Sequence, residues 1–135
     1  MNLSDSITSL MSKNVKTIQA NDTLLKVKHF FEAKDFHHHL PVMDGDKVVG
    51  MVSLYDFLIA KKAATLNDDD PIYNSVLVKD FMRTHLKCVT ENDTIKHALT
   101  MFIEHSIQAL PVISNGKLIG IVTSNDILRA LLKES

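Results

Sequence analysis

The chain holds one cysteine, Cys88, which excludes an intrachain disulfide framework and fits a reducing compartment. It has no tryptophan, and its four glycines are spread over two turns and two strand ends, so the phosphate-binding motifs of common nucleotide hydrolases are absent. Charge of one sign is also missing. With 15 basic against 16 acidic residues the formal net charge is -1, and no general field draws the chain toward nucleic acid or an anionic membrane. No apolar run approaches the roughly 20 residues that span a bilayer, and Met1 to Ser12 lacks the basic start and apolar run of a secretory signal. The expectation is a soluble, cytoplasmic protein with no nucleic-acid or membrane partner. No nucleophile with its base, no tuned carboxylate pair and no open metal site can be assembled from local motifs, so the chain is expected not to be an enzyme and to require no cofactor.

What is present is a duplication. Met11 and Asn21-Asp22-Thr23 recur 71 positions later as Met82 and Asn92-Asp93-Thr94, while Leu40-Pro41-Val42, Gly50 and Asp56 recur 70 positions later as Leu110-Pro111-Val112, Gly120 and Asp126. The change of offset places one extra residue in the first copy between Phe31 and Leu40, where His37-His38-His39 stands. A chain of 135 residues is long enough for one core, or for two small repeats sharing it.

Each copy reads the same way. Val15 to Ile18 and Leu86 to Val89 are strand candidates, followed by Asn-Asp-Thr, whose side chains cap a helix start. Leu24, Val27, Phe30 and Phe31 share one helix face in the first copy, and Ile95, Ala98, Leu99 and Phe102 in the second. Leu40 to Met43 and Leu110 to Ile113 then form hairpins with Lys47 to Val52 and Lys117 to Val122, across Asp44-Gly45-Asp46 and Ser114-Asn115-Gly116. A second helix follows Ser53 or Thr123. The fold class expected is α/β (α+β), with two pseudo-symmetric β-α-β-β-α repeats: repeat 1 with its N-terminal lead over 1–66, a linker over 67–75, and repeat 2 over 76–135. Ser6 to Met11 and Val76 to Met82 are short helical leads. The acidic run Asp68-Asp69-Asp70 before Pro71 reads as a solvated loop, with a metal ligand set as the alternative.

The densest chemistry lies where a strand enters a helix, at Gly120-Ile121-Val122-Thr123-Ser124-Asn125-Asp126 and its copy Gly50-Met51-Val52-Ser53-Leu54-Tyr55-Asp56. Free backbone N–H groups and the positive end of the helix dipole suit an anionic ligand there. Thr123-x-x-Asp126 and Ser53-x-x-Asp56 also satisfy a capping box, in which the acid serves its own helix. The two uses compete. His37-His38-His39 invites a metal, but in a strand His37 and His39 point to one side and His38 to the other, so at most two share an ion. Cys88 reads as a buried thiol rather than a redox sensor.

With the duplication, the Leu-Pro-Val strands and the Gly-x-x-Thr/Ser-x-x-Asp turns together, the sequence resembles the cystathionine β-synthase (CBS) domain family, as a stand-alone tandem pair of the kind called a Bateman module. The resemblance implies two repeats packed through their sheets with two clefts between them. It implies association into a homodimer, a disc of four repeats, and regulation of an attached or separate protein by adenine-containing ligands: AMP, ADP, ATP or S-adenosylmethionine. Output here would pass through an unknown protein partner. Carried over by residue, the first cleft takes Asp126 for the ribose hydroxyls, Thr123 and Asn125 for phosphate, and Ile121 for adenine, closed by Thr17, His37 and His38. The second takes Asp56, Ser53, Tyr55 and Met51, closed by Cys88, Ile107 and Gln108, and Leu54-Tyr55 crowds the phosphate position. His38 or His39 would face the ligand, an exposed strand end and a metal being the other uses of that run. A dimerisation scaffold that binds only protein is the alternative function.

Overall fold

The computed structural model describes residues 1–33 and 38–135, which form two compact units. A middle unit comprises Lys16–Leu86, and a terminal unit joins Met1–Val15 to Lys87–Ser135.

In the middle unit β1 (Ile18–Gln19) leads to α1 (Leu24–Glu32), then β2 (His39–Asp44), β3 (Lys47–Ser53), α2 (Leu54–Ala60) and α3 (Ile72–Ser75). The sheet order is β1-β2-β3, β1 parallel and β3 antiparallel to the central β2. Because β2 is flanked on both sides, its apolar run is buried from Leu40 to Met43 rather than alternating. Helix α1 starts at Thr23, whose side chain accepts from Lys26 N–H, while the Asp22 carboxylate takes Gln19 N–H. Leu24, Val27 and Phe31 of α1 pack with Leu40, Val42, Val52 and Phe57.

The terminal unit repeats the plan with β4 (Val89–Thr90), α4 (Ile95–His105), β5 (Ala109–Ser114), β6 (Lys117–Thr123) and α5 (Ser124–Lys133). Its sheet order is β4-β5-β6, and Thr94 caps α4 as Thr23 caps α1. Ile95, Ala98, Phe102, Leu110, Val112, Val122 and Ile127 form its core. The expected order of strand, helix, strand, strand, helix is the order in both units. The first strands are two residues long, shorter than the sequence suggested.

The leads are exchanged. Ile7 of the N-terminal 3-10 turn (Ile7–Ser9) is fully buried in the core of the terminal unit, which otherwise comes from the second repeat. Val78, in the turn Val78–Asp80, is equally buried in the middle unit. Backbone pairing explains this. Pro41 sits in a central strand without an N–H, opposite Met51 of β3. Met51 turns its own N–H and carbonyl the other way, donating to Arg83 O at 3.0 Å and accepting Arg83 N–H at 2.9 Å. In the terminal unit Pro111 faces Ile121, and Ile121 exchanges bonds of 3.0 and 2.8 Å with Ser12. Each lead thus pairs with the outer edge of its unit's sheet, on the strand that faces the proline. Gly50 and Gly120 make the approach possible: a Cβ at Gly50 would lie 2.6 Å from Met82 Sδ, and one at Gly120 2.6 Å from Met11 Sδ.

The linker is tied down rather than freely solvated. Tyr73 of α3 is fully buried in the middle core and donates its hydroxyl to Thr65 O. Asp68, although exposed, pairs with Lys28 Nζ and with His29 Nε2 at 2.8 Å. Lys28 is only 4% exposed on the inner face of α1, where its ammonium also meets Glu32 at 3.0 Å and lies 5.6 Å from the Tyr73 ring centre. Desolvation of a lysine demands such partners, and the loop's acidic residue is one of them. Among the described residues no helix is long and apolar enough to cross a membrane.

Candidate functional site

Each predicted residue set draws four residues from one unit and three from the other. In the terminal unit, β6 ends at Thr123 and α5 begins at Ser124. Thr123 Oγ1 accepts Asp126 N–H at 3.2 Å, and Asp126 Oδ2 accepts Thr123 N–H at 2.8 Å, so the capping box is formed. It uses one carboxylate oxygen. Asp126 Oδ1 has Arg129 Nη1 at 3.7 Å, a loose pair one turn along the same helix. The cap therefore engages Oδ2 and leaves Oδ1 to the loose Arg129 pair. Asn125 is exposed beside Asp126, and Ile121 is buried behind the strand end. Gln108, whose carbonyl accepts Ser124 N–H at 3.0 Å, and half-buried Ile107 precede β5 on the same unit.

Cys88 is exposed, correcting the expectation of a buried thiol. It precedes β4, and alternation sends Val89 inward, leaving Cys88 on the outer side. Partial desolvation raises its thiol pKa above the ordinary value, so it is not an activated thiolate.

In the middle unit, β3 ends at Ser53 and α2 begins at Leu54. The capping box is again complete: Ser53 Oγ accepts Asp56 N–H at 3.0 Å and Asp56 Oδ2 accepts Ser53 N–H at 2.9 Å. Here the carboxylate is further engaged. Arg83 Nε lies 2.9 Å from Asp56 Oδ1 and 3.2 Å from Oδ2, and the Asp56 side chain is 10% exposed against 63% for Arg83. His39 stands opposite Ser53 in the β2–β3 ladder, and the His38 carbonyl accepts Leu54 N–H at 2.9 Å. Burial, then the charge of His38, lowers the His39 pKa against the opposing pull of Asp56. Met51 is buried, Thr17 is exposed just before β1, and Tyr55 is 64% exposed, pointing its ring to solvent rather than into the core. His37 lies outside the described residues.

Arg83 was not among the residues singled out from sequence. The repeat offset carries the signal that would have found it: Arg83 stands where the first copy has Ser12, next to the recurring Met11 and Met82. A donor set of another kind occurs at His29, Glu32 and Asp68, whose ligand atoms lie within 4.8 Å of one another. The Lys28 ammonium already pairs with both of its carboxylates.

The CBS domain family model matches residues 7–63 and again 78–133. The chain belongs to the CBS domain family. It is 32% identical over 123 residues to hypoxic response protein 1 of Mycobacterium tuberculosis, covering 90% of this chain and 82% of that protein. It is 34% identical to a homoserine O-acetyltransferase of Methanosarcina acetivorans, again over 90% of this chain but only 21% of that protein. A CBS chain that spans about a fifth of that relative does not take on its acetyltransferase name. Among solved structures, the CBS domain pair of protein MJ0100 in complex with 5′-methylthioadenosine and S-adenosyl-L-methionine superposes with a TM-score of 0.79, at 20% identity, over 96% of this chain and 98% of that one. At that identity the likeness is one of fold.

Proposed function

We propose that this CBS pair is a non-catalytic, cytoplasmic sensor that binds an adenine nucleotide or a related adenosyl compound, AMP, ADP, ATP or S-adenosylmethionine, and passes its occupancy to a partner protein. One observation carries the reading: among the described residues, the capped carboxylate of Asp126 keeps Oδ1 with no closer charge than Arg129 at 3.7 Å. A carboxylate so held accepts hydrogen bonds from a ribose diol, and the ten-residue helix α5 turns its N-terminal N–H groups to a phosphate beside Thr123 and Asn125. By the family resemblance Thr17, His37 and His38 are further candidates for that ligand, and Ile121 for its adenine. Ser53, Tyr55, Asp56 and Met51 are the candidates of the second head, and Cys88, Ile107 and Gln108 complete that set. The adenosyl complex of the structural relative supports the ligand class. Occupancy shifts the balance between two arrangements of the protein by no more than the ligand's difference in affinity for them.

Association into a homodimer is part of the proposal. Leu58 and Ile59 of α2 are 48% and 54% exposed, and Leu128, Leu131 and Leu132 of α5 are 57%, 46% and 74% exposed. A second copy of the chain would cover these rows, which are costly to leave in water. These same rows favour a second reading, a dimerisation scaffold that binds only protein. Thermal melting separates the two. A saturating member of a panel of AMP, ADP, ATP and S-adenosylmethionine, at 100 times its dissociation constant, stabilises by about 2.7 kcal/mol if the sensor reading holds. Asp126→Ala should remove most of that shift, and a flat melting temperature across the panel would leave the scaffold.

A further inference from the structure

The two heads differ in where an arginine stands: Arg83 touches both oxygens of Asp56, whereas Arg129, which has Ile59 at its place in the first copy, lies 3.7 Å from one oxygen of Asp126. Around Asp56 the middle unit places Arg83 in direct contact, with His39 across from Ser53 and His38 beside the first residue of α2. The corresponding positions in the terminal unit are Ser12, Ala109 and Gln108, none ionisable. The Arg83 guanidinium holds both oxygens of Asp56 through Nε, so a ribose diol reaches this carboxylate only by displacing it. An uncharged 5′ substituent gives the displaced guanidinium nothing in exchange. A 5′ phosphate gives it an oxyanion partner, and a guanidinium binds phosphate in charge-assisted fashion. The Arg83 side chain is 63% exposed and its backbone is held by the pair with Met51, so the side chain is able to turn from carboxylate to ligand while its Cα stays in place.

We infer that Arg83 is a specificity-determining residue which makes the Asp56 head select 5′-phosphorylated adenosyl ligands over uncharged ones, whereas the Asp126 head lacks this selection. The inference rests on the sensor reading and extends it from a ligand class to a difference between heads. AMP and 5′-methylthioadenosine form the discriminating pair, since both carry adenine and the ribose diol and they differ at the 5′ position.

The test is calorimetric titration of both compounds into the wild-type chain, into Asp126→Ala, and into Asp126→Ala combined with Arg83→Ser or Arg83→Lys. Asp126→Ala should bind AMP at least tenfold more tightly than 5′-methylthioadenosine. Adding Arg83→Ser, which installs the residue of the terminal unit, should bring the two affinities within about threefold, in line with loss of one charged hydrogen-bonded contact. Arg83→Lys, which keeps the positive charge, should retain a preference for AMP and so separates loss of charge from damage to the lead. Equal affinities with Arg83 intact, an AMP preference that survives Arg83→Ser, or no binding at all to Asp126→Ala would overturn the inference while leaving the sensor reading in place. Failure of every panel member to bind the wild-type chain would instead remove the reading beneath it.

Discussion

The two units are built on one plan and differ in how their ends are finished. Their sheets share order and register, their first helices share a threonine cap, and their second helices share a capping box. The middle unit adds Tyr73, the Lys28–Asp68 pair and the Arg83–Asp56 pair. Nothing at the corresponding positions of the terminal unit replaces the last of these, since Ser12 carries no charge. The duplicated pattern therefore specifies the scaffold, and the unduplicated side chains distinguish the two copies.

That comparison is broken most severely by removing Tyr73, whose counterpart by offset is Asn2. Tyr73→Ala leaves a large cavity in a core where the ring is fully buried, and should cost about 3–5 kcal/mol in chemical denaturation. A loss below about 1 kcal/mol would mean the linker does not contribute to the middle core. The glycine substitutions come next and should be alike in both units. Gly50→Ala and Gly120→Ala each force a Cβ onto a methionine sulfur and close to a lead carbonyl, at 3.0 Å for Arg83 and 2.9 Å for Ser12. Each should cost about 1–3 kcal/mol, with Met82→Ala recovering part of the Gly50→Ala loss and Met11→Ala part of the Gly120→Ala loss. Crossed rescue, Met11→Ala relieving Gly50→Ala, would contradict the exchanged leads. Cap removal is smaller: Ser53→Ala and Thr123→Ala should each cost about 0.5–2 kcal/mol, read from the denaturation midpoint.

The smallest effect sharpens the comparison through pH. His39 has its folded-state pKa lowered by burial, and its partner position is Ala109. The unfolded chain therefore takes up a proton first, and stability that is present above the ordinary imidazole value of about 6.5 is lost as pH falls from there toward the folded value. His39→Ala should flatten this part of the stability curve, whereas an unchanged slope would show that His39 is not desolvated.

The parts of this structure legible in the sequence are those determined by neighbours along the chain. Asn-Asp-Thr caps, hairpins at Gly45 and Asn115-Gly116, and the strand-to-helix turns all depend on residues within a few positions of one another, and duplication doubles each signal. What could not be read there is pairing across distance. The exchange of leads depends on Met51 and Ile121 offering free edges beside prolines, and the Arg83–Asp56 contact joins residues 27 apart. Lys28 is polar by type and sits inward only because Asp68 and Glu32 meet it. The cap at Asp126 was visible in its motif, but which of its two oxygens the cap engages was not.

Titration of AMP into the wild-type chain, with sites counted against Asp126→Ala and Asp56→Ala, tests the central claim most directly. The account predicts saturable binding in two unequal classes per chain, one lost with each substitution. Binding that neither substitution alters, or no saturable heat from AMP, ADP, ATP or S-adenosylmethionine, would contradict it.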